Sequence, residues 1–209
     1  MKQQKQISTK WSPSLAYLIG IIATDGNLSI DERHIVITSK DKSLLEDIKE
    51  VFSLSLAIGS KANGITPEKK YSVLQIGDKN FYNFLVSIGL TKNKSKTLGK
   101  LKIPKKYFSH FLRGCIDGDG NIDIYSHKES INKQLRIRLA SASLTFLIWI
   151  SEEIQKNYNS LGGWIYSPKN KSWHVLTYGK KDSIQILKTV YKNKTLFLER
   201  KFIQAKEFI

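Results

Sequence analysis

Cysteine is nearly absent from this chain of 209 residues, which has only Cys115. A disulfide within the chain and a cysteine-rich zinc site are therefore excluded. Cys115 lies inside an apolar run and is expected to be a small core residue rather than a nucleophile. Long hydrophobic runs are missing too, and none approaches the roughly 20 residues that cross a membrane. Met1 to Lys10 is polar and rich in Lys and Gln, so it reads as a frayed tail, not as a secretory signal. It also lacks the Arg of an organellar import peptide. The four histidines, His34, His110, His127 and His174, are scattered and form no motif. Acidic residues are the last deficit, 18 against 34 Lys and Arg, a net charge of +16. Such an excess favours polyanions, nucleic acid above all, and speeds their encounter. The expected location is inside the cell with nucleic acid, in cytoplasm, nucleoid or organelle matrix, with no membrane partner.

What the chain does have is a repeat. Leu18-Ile19-Gly20-Ile21-Ile22-Ala23-Thr24-Asp25-Gly26 is matched by Leu112-Arg113-Gly114-Cys115-Ile116-Asp117-Gly118-Asp119-Gly120. Each copy carries Gly at its third position, Asp at its eighth and Gly at its ninth, and each is followed by Asn, Asn27 or Asn121. One supersecondary unit used twice predicts two halves packed about a pseudo-twofold axis. Gly20 and Thr24, like Gly114 and Gly118, are four apart and share a helix face. Small residues there let two helix backbones approach closely. Helices packed in this way bring Asp25 and Asp119 together. Two adjacent carboxylates repel unless a cation lies between them, so the pair is a natural place for divalent metal and phosphodiester hydrolysis.

The first helix is expected to start at Ser12-Pro13, with Ser12 as N-cap, and to stop at Gly26-Asn27. Two strands follow within Asn27–Ser39, then a helix capped by Asp41. A second strand pair is expected at Ala57–Thr66 and Tyr71–Gly77, around a Pro67-Glu68-Lys69 loop, and a helix at Asn80–Ile88. The order repeats after Pro104 and ends in helices at Ser183–Tyr191 and Leu196–Phe208. The charge run Lys92, Lys94, Lys96, Lys100 and Lys102 marks Thr91–Lys106 as a linker. The expected class is α+β, with halves at 11–98 and 99–209, each of order αββαββα and each with an antiparallel sheet.

These motifs resemble the LAGLIDADG homing endonuclease family in its single-chain, two-motif form. The second copy, Leu112–Gly120, matches closely, the first more loosely, and the element order agrees from about Trp11 to Ile209. The resemblance implies that the motif helices form the interface between halves and that the two sheets make a DNA-binding saddle. It implies metal-dependent double-strand cleavage at a long asymmetric DNA site. Asp25 and Asp119 would bind the metal, with the carbonyls of Thr24 and Gly118 as secondary ligands. Mg²⁺ is the expected ion, Mn²⁺ a workable substitute, and Ca²⁺ is expected to bind without supporting cleavage. The family places a basic residue near each metal, and Lys94 and Lys201 stand in the two segments resembling those carriers. One departure is clear. The sixth motif position, acidic in the family, is Asp117 in one copy and Ala23 in the other. That position serves local hydrogen bonding, so packing symmetry is affected more than catalysis.

The strands suit a major groove, because polar residues alternate with core residues. Arg136 and Arg138 fall on one side of their strand. Ser29 and Arg33, Gln75, and Lys171 with Trp173 are further expected DNA contacts. His-Asn-His and GIY-YIG nucleases find no support, since Trp164-Ile165-Tyr166 lacks the second half of the latter motif. No terminal Cys or His-Asn pair suggests an intein. A monomer needing no protein partner is expected. The alternative is a non-cleaving DNA-binding protein or RNA maturase of the same fold.

Overall fold

The computed structural model describes residues 6–62, 70–126, 133–158 and 162–209. Helix α1 (Pro13–Asp25) starts as its sequence dictates. Ser12 Oγ accepts from the backbone N–H of Leu15 at 3.1 Å, and Pro13 occupies the first turn, where no N–H is needed. It is buried from Leu15 to Ala23. A helix apolar on every side needs partners on every side, and α1 lies between its own sheet and α4 (Phe108–Asp117), the equivalent helix of the second half.

The first sheet contains β1 (Gly26–Leu28), β2 (His34–Ser39), β3 (Ile58–Ala62) and β4 (Lys70–Gly77), in the order β1-β2-β4-β3, all antiparallel. The second contains β5 (Gly120–Tyr125), β6 (Gln134–Ser141), β7 (Trp164–Tyr166) and β8 (His174–Tyr178), in the matching order β5-β6-β8-β7. Helices α2 (Lys42–Val51) and α3 (Lys79–Ser87) belong with the first sheet. Helices α5 (Leu144–Tyr158), α6 (Lys180–Tyr191) and α7 (Glu199–Lys206) follow in the second half. The expected two-sheet α+β architecture is therefore what forms, and the expected last helix, α7, closes the second half over a shorter span than Leu196–Phe208.

Alternation assigns the faces. In β6, Leu135, Ile137 and Leu139 are buried while Arg136 and Arg138 are partly open. Cross-strand partners share a face, so Asn121, Arg138, Thr177 and Trp164 form one row across the second sheet. In the first sheet the equivalent row holds Asn27, Val36 and Gln75.

Three expectations change. Ser29 and Arg33 sit in the loop joining β1 to β2, not on a strand face. Asp31 Oδ1 accepts from the N–H groups of Arg33 and His34, and this side-chain-to-backbone turn ends the strand early. Asp41 precedes α2 but makes no capping bond, because its carboxylate is taken by Arg200. Thr91–Lys106 is no solvated linker throughout. Lys94, Leu98 and Leu101 are buried, and Lys102 N–H bonds back to Ile88 O at 2.9 Å. The Pro67-Glu68-Lys69 loop and His127 lie outside the described residues.

Candidate active site at the junction of the motif helices

The helix–helix contact is set by glycine. A Cβ on Gly20 would fall on Phe111 O and lie 2.9 Å from Gly114 Cα, and one on Gly114 would fall on Tyr17 O and lie 3.0 Å from Gly20 Cα. Neither helix can retreat without opening the core, so side chains are excluded at both positions. One turn further on, a Cβ on Gly118 would fall on Thr24 Oγ1 and lie 3.1 Å from Asp25 Oδ2. The carboxylate of Asp25 thus stands against the backbone immediately before Asp119.

Both carboxylates open into a cleft of about 530 Å³, whose lining includes Asn27, Thr38, Lys94, Asn121 and Lys201. Asp25 is half-buried and Asp119 is more open. Burial and then the negative charge of Asp119 push the Asp25 carboxyl up to about 6, against the pull of Lys201 and Lys94. Asp119 is also raised, by burial, and is opposed by the same two lysines. Two partly desolvated carboxylates with too little compensation are a site short of positive charge.

Lys94 and Lys201 are both brought to this place, one behind each motif helix. Lys94 Nζ donates to Gly26 O at 2.5 Å. Lys201 Nζ lies 2.7 Å from the carbonyl oxygens of Ile116, Asp117 and Gly120, and 3.1 Å from that of Gly118. An ammonium at a helix C-terminus answers the partial negative charge of the last carbonyls. Burial lowers the pKa of both lysines, that of Lys201 to about 8. The Gly118 carbonyl, an expected metal ligand, therefore already faces an ammonium, with a second lone pair remaining.

The Asp117 carboxylate is occupied by local donors, as its motif place implies. It is 2% exposed and accepts from Tyr17 Oη at 2.9 Å, Tyr191 Oη at 3.0 Å and the N–H of Leu198 at 2.8 Å. Burial raises it to about 6 in spite of these donors. It ties α1, α6 and the start of α7, and α7 carries Lys201. Arg113, fully buried, adds bonds to Leu196 O (2.8 Å) and Val190 O (2.6 Å) and lies 5.3 Å from the Tyr17 ring. Ala23, the counterpart of Asp117, is simply packed.

Two residues not foreseen as site components join the cleft. Arg200 reaches across the halves to Asp41, Nε to Oδ1 and Nη2 to Oδ2, both at 3.0 Å. Its place beside Lys201 in the sequence was the available signal. Among the expected DNA contacts, Arg136, Arg138 and Gln75 lie on the concave faces. Arg138 Nη2 is 2.6 Å from Asp123 Oδ2, and Arg136 stacks 4.3 Å over Tyr125. Trp173 is exposed and lies just before β8, whereas Lys171 is in the preceding turn. Ser29 and Arg33 lie in the loop at the ends of β1 and β2.

Among the described residues no group of three or more His, Cys, Asp or Glu could hold a metal by itself. The pair Asp25 and Asp119 fits a hard ion completing its shell with phosphate oxygen and water, the habit of Mg²⁺ in phosphoryl sites. The cleft into which both carboxylates open leaves room for that shell. Among the described residues no helix is long and apolar enough to cross a membrane.

The family model described as LAGLIDADG-like domain matches residues 12–89. No curated protein matches the sequence. Solved structures resemble it over most of its length. The homing endonuclease I-WcaI, bound to its DNA recognition sequence, has a TM-score of 0.63 at 15% identity, covering 96% of this chain and 87% of its own. I-DmoI, in complex with DNA and Ca, gives 0.60 at 16%, covering 92% and 97%. A second I-DmoI complex contains DNA and Mn. Full-length DUF199/WhiA from Thermatoga maritima gives 0.58 at 15%, covering 97% of this chain. The chain spans 64% of that protein's length. At these identities the likeness speaks for the fold.

Proposed function

Because a LAGLIDADG-like domain matches residues 12–89 and the second half repeats both its motif and its sheet order, we propose that the chain is a LAGLIDADG protein with one motif in each half, and a site-specific endonuclease cutting both strands of double-stranded DNA with a divalent metal. The single observation carrying this reading is the meeting of Asp25 and Asp119 in a cleft flanked by two concave sheets, in a chain of charge +16.

The reaction is hydrolysis. A water oxygen bonds to phosphorus, the bond to the 3′ oxygen breaks, and the products are a 3′ hydroxyl and a 5′ phosphate. Asp25 and Asp119 would hold the ions, with the Thr24 and Gly118 carbonyls near enough in sequence to assist. A bound Mg²⁺ lowers the pKa of water and stabilises the leaving oxygen. Lys94 and Lys201 hold fixed positive charge behind the carboxylates, where negative charge grows on phosphate. With its ammonium committed to four carbonyls, Lys201 acts through its field rather than by transferring a proton. The sheets hold the duplex so that the cleft spans the minor groove between the contacted halves. Mg²⁺ as preferred ion, a long asymmetric target, action as a monomer and an intron-homing role belong to this proposal, as do halves at 11–98 and 99–209.

The test is a cleavage screen of a DNA-target library with Mg²⁺, followed by Asp25→Asn and Asp119→Asn on the selected target. Each variant is expected to lose double-strand cleavage and keep specific binding. Wild-type cutting by both variants overturns the assignment. A second reading, a non-cleaving nucleic-acid-binding protein, draws on the likeness to DUF199/WhiA, whose name carries no nuclease. Tight wild-type binding without cutting in Mg²⁺ or Mn²⁺ would establish it.

A further inference from the structure

The two ends of the concave surface differ chemically. At the outer edge of the first sheet, β3 presents Gly59 and Lys61, registered with Val73 and Tyr71. At the outer edge of the second, the concave side carries large aromatic rings, with Tyr166 at the register position of Gly59. Trp164 pairs with Thr177 and Tyr166 with Val175, the concave-side residues of β8, while Ile165 between them packs on the core. Trp173, just ahead of β8, brings its ring to 6.1 Å from that of Tyr166. Trp164, Tyr166 and Trp173 remain 53%, 55% and 43% exposed. Lys169 and Lys171, both exposed, lie in the turn between the two strands.

Exposed indoles on one continuous strip call for a flat apolar partner. The strip continues the row of Asn121, Arg138 and Thr177, and basic residues flank it, so its partner is a nucleic acid rather than an acid-poor protein surface. A continuous duplex is a poor match. Stacking covers its base faces, and the groove offers only edges and thymine methyl groups. An unpaired base exposes the face that aromatic side chains bind.

We propose that the outer edge of the second sheet is a stacking platform for an unpaired base, with Trp164, Tyr166 and Trp173 as its contacts and the turn lysines on the adjacent phosphates. The proposal rests on the concave surface being a nucleic-acid surface and is independent of cleavage. The ligand class is a single-stranded or splayed segment at one end of the bound nucleic acid.

The experiment uses the full chain in EDTA. Anisotropy of a labelled oligothymidylate and of a blunt duplex of equal length is compared for wild type, Trp164→Ala, Trp173→Ala and the corresponding Phe variants. All these sites are exposed, and circular dichroism checks the fold. Each alanine variant is expected to weaken oligothymidylate binding about tenfold, in line with base–aromatic stacking. The factor should persist as salt rises, since stacking, unlike phosphate contact, is not screened. Phenylalanine is expected to restore most of the affinity, and duplex binding by Trp164→Ala, at a position outside the expected groove contacts, to stay near wild type. Equal losses on duplex and single strand would overturn the proposal in favour of groove contact. Unchanged binding to both would assign the strip to a protein partner. Neither result bears on the Asp25 and Asp119 tests, which read cleavage.

Discussion

At the scale of single residues, the cleft carboxylates stand against stability. The folded Asp25 carboxyl is raised to about 6, above its ordinary value near 4. A raised carboxyl favours folding most when protonated. Its contribution is therefore full below about pH 4 and is lost as pH rises through about 6. Asp25→Asn is expected to raise metal-free stability at pH 7.5 by about 1 kcal/mol, after allowance for solvent in the open cleft, and to leave it unchanged at pH 4. Urea midpoints at the two pH values check this, and a lowered midpoint at pH 7.5 would contradict the repulsion account. Wild type should also gain thermal stability from Mg²⁺ or Ca²⁺, as mass action requires of any ion binding only the folded state. Asp25→Asn and Asp119→Asn should each lose that gain in scanning calorimetry. Asp117 behaves differently because it satisfies three donors. Asp117→Ala strands two phenols and the N–H that begins α7, and a loss of about 3 kcal/mol is expected in chemical denaturation.

Among elements, the decisive contact is α1 on α4. Gly20→Ala and Gly114→Ala each press a methyl onto the opposite backbone. Overpacking of this kind costs about 1–3 kcal/mol, and both variants should lower the urea midpoint with an unchanged slope. Gly99→Ala is the control. A Cβ there meets nothing within 4 Å, so its effect should stay within about 0.5 kcal/mol. The helix pair was legible in sequence because Gly20, Thr24, Gly114 and Gly118 fall at fixed spacing on one face. The strands were legible where alternation is strict, as in Leu135–Leu139. They were not legible around Ser29–Arg33, because a single aspartate side chain, Asp31, turns the backbone out of the sheet and polar spacing does not record it.

For the whole molecule, the charge of +16 together with two concave sheets predicts binding that falls steeply with salt. Each phosphate neutralised contributes roughly 0.9 to the slope of log K against log salt. Contact with at least six phosphates would give a slope of about −5 or steeper, measured by anisotropy across a salt series. A nearly flat response would argue against DNA as the main partner. The two halves in one chain should suffice, and light scattering at low concentration is expected to return the mass of one chain. A dimer required for cutting would refute that.

The sequence by itself determined the repeat, the small-residue helix faces and the expected pairing of Asp25 with Asp119, whereas Lys94 and Lys201 were singled out only by the family resemblance. The first three rest on local periodicity and on one unit occurring twice, so no knowledge of distant contacts is needed. Tertiary structure alone decided the rest. Asp41 has the position of a helix cap and binds Arg200 instead, because α7 passes within reach. Lys94 belongs to a charge run and is buried, because that run folds behind α1 toward Gly26. Arg113 carries a charge that composition would place in water, yet α6 and the turn before α7 close over it and offer the carbonyls of Val190 and Leu196. Trp164, Tyr166 and Trp173 become one strip only when β7 pairs with β8. In each case the side chain's role depends on which remote segment meets it, and that is fixed by packing rather than by neighbours in the chain.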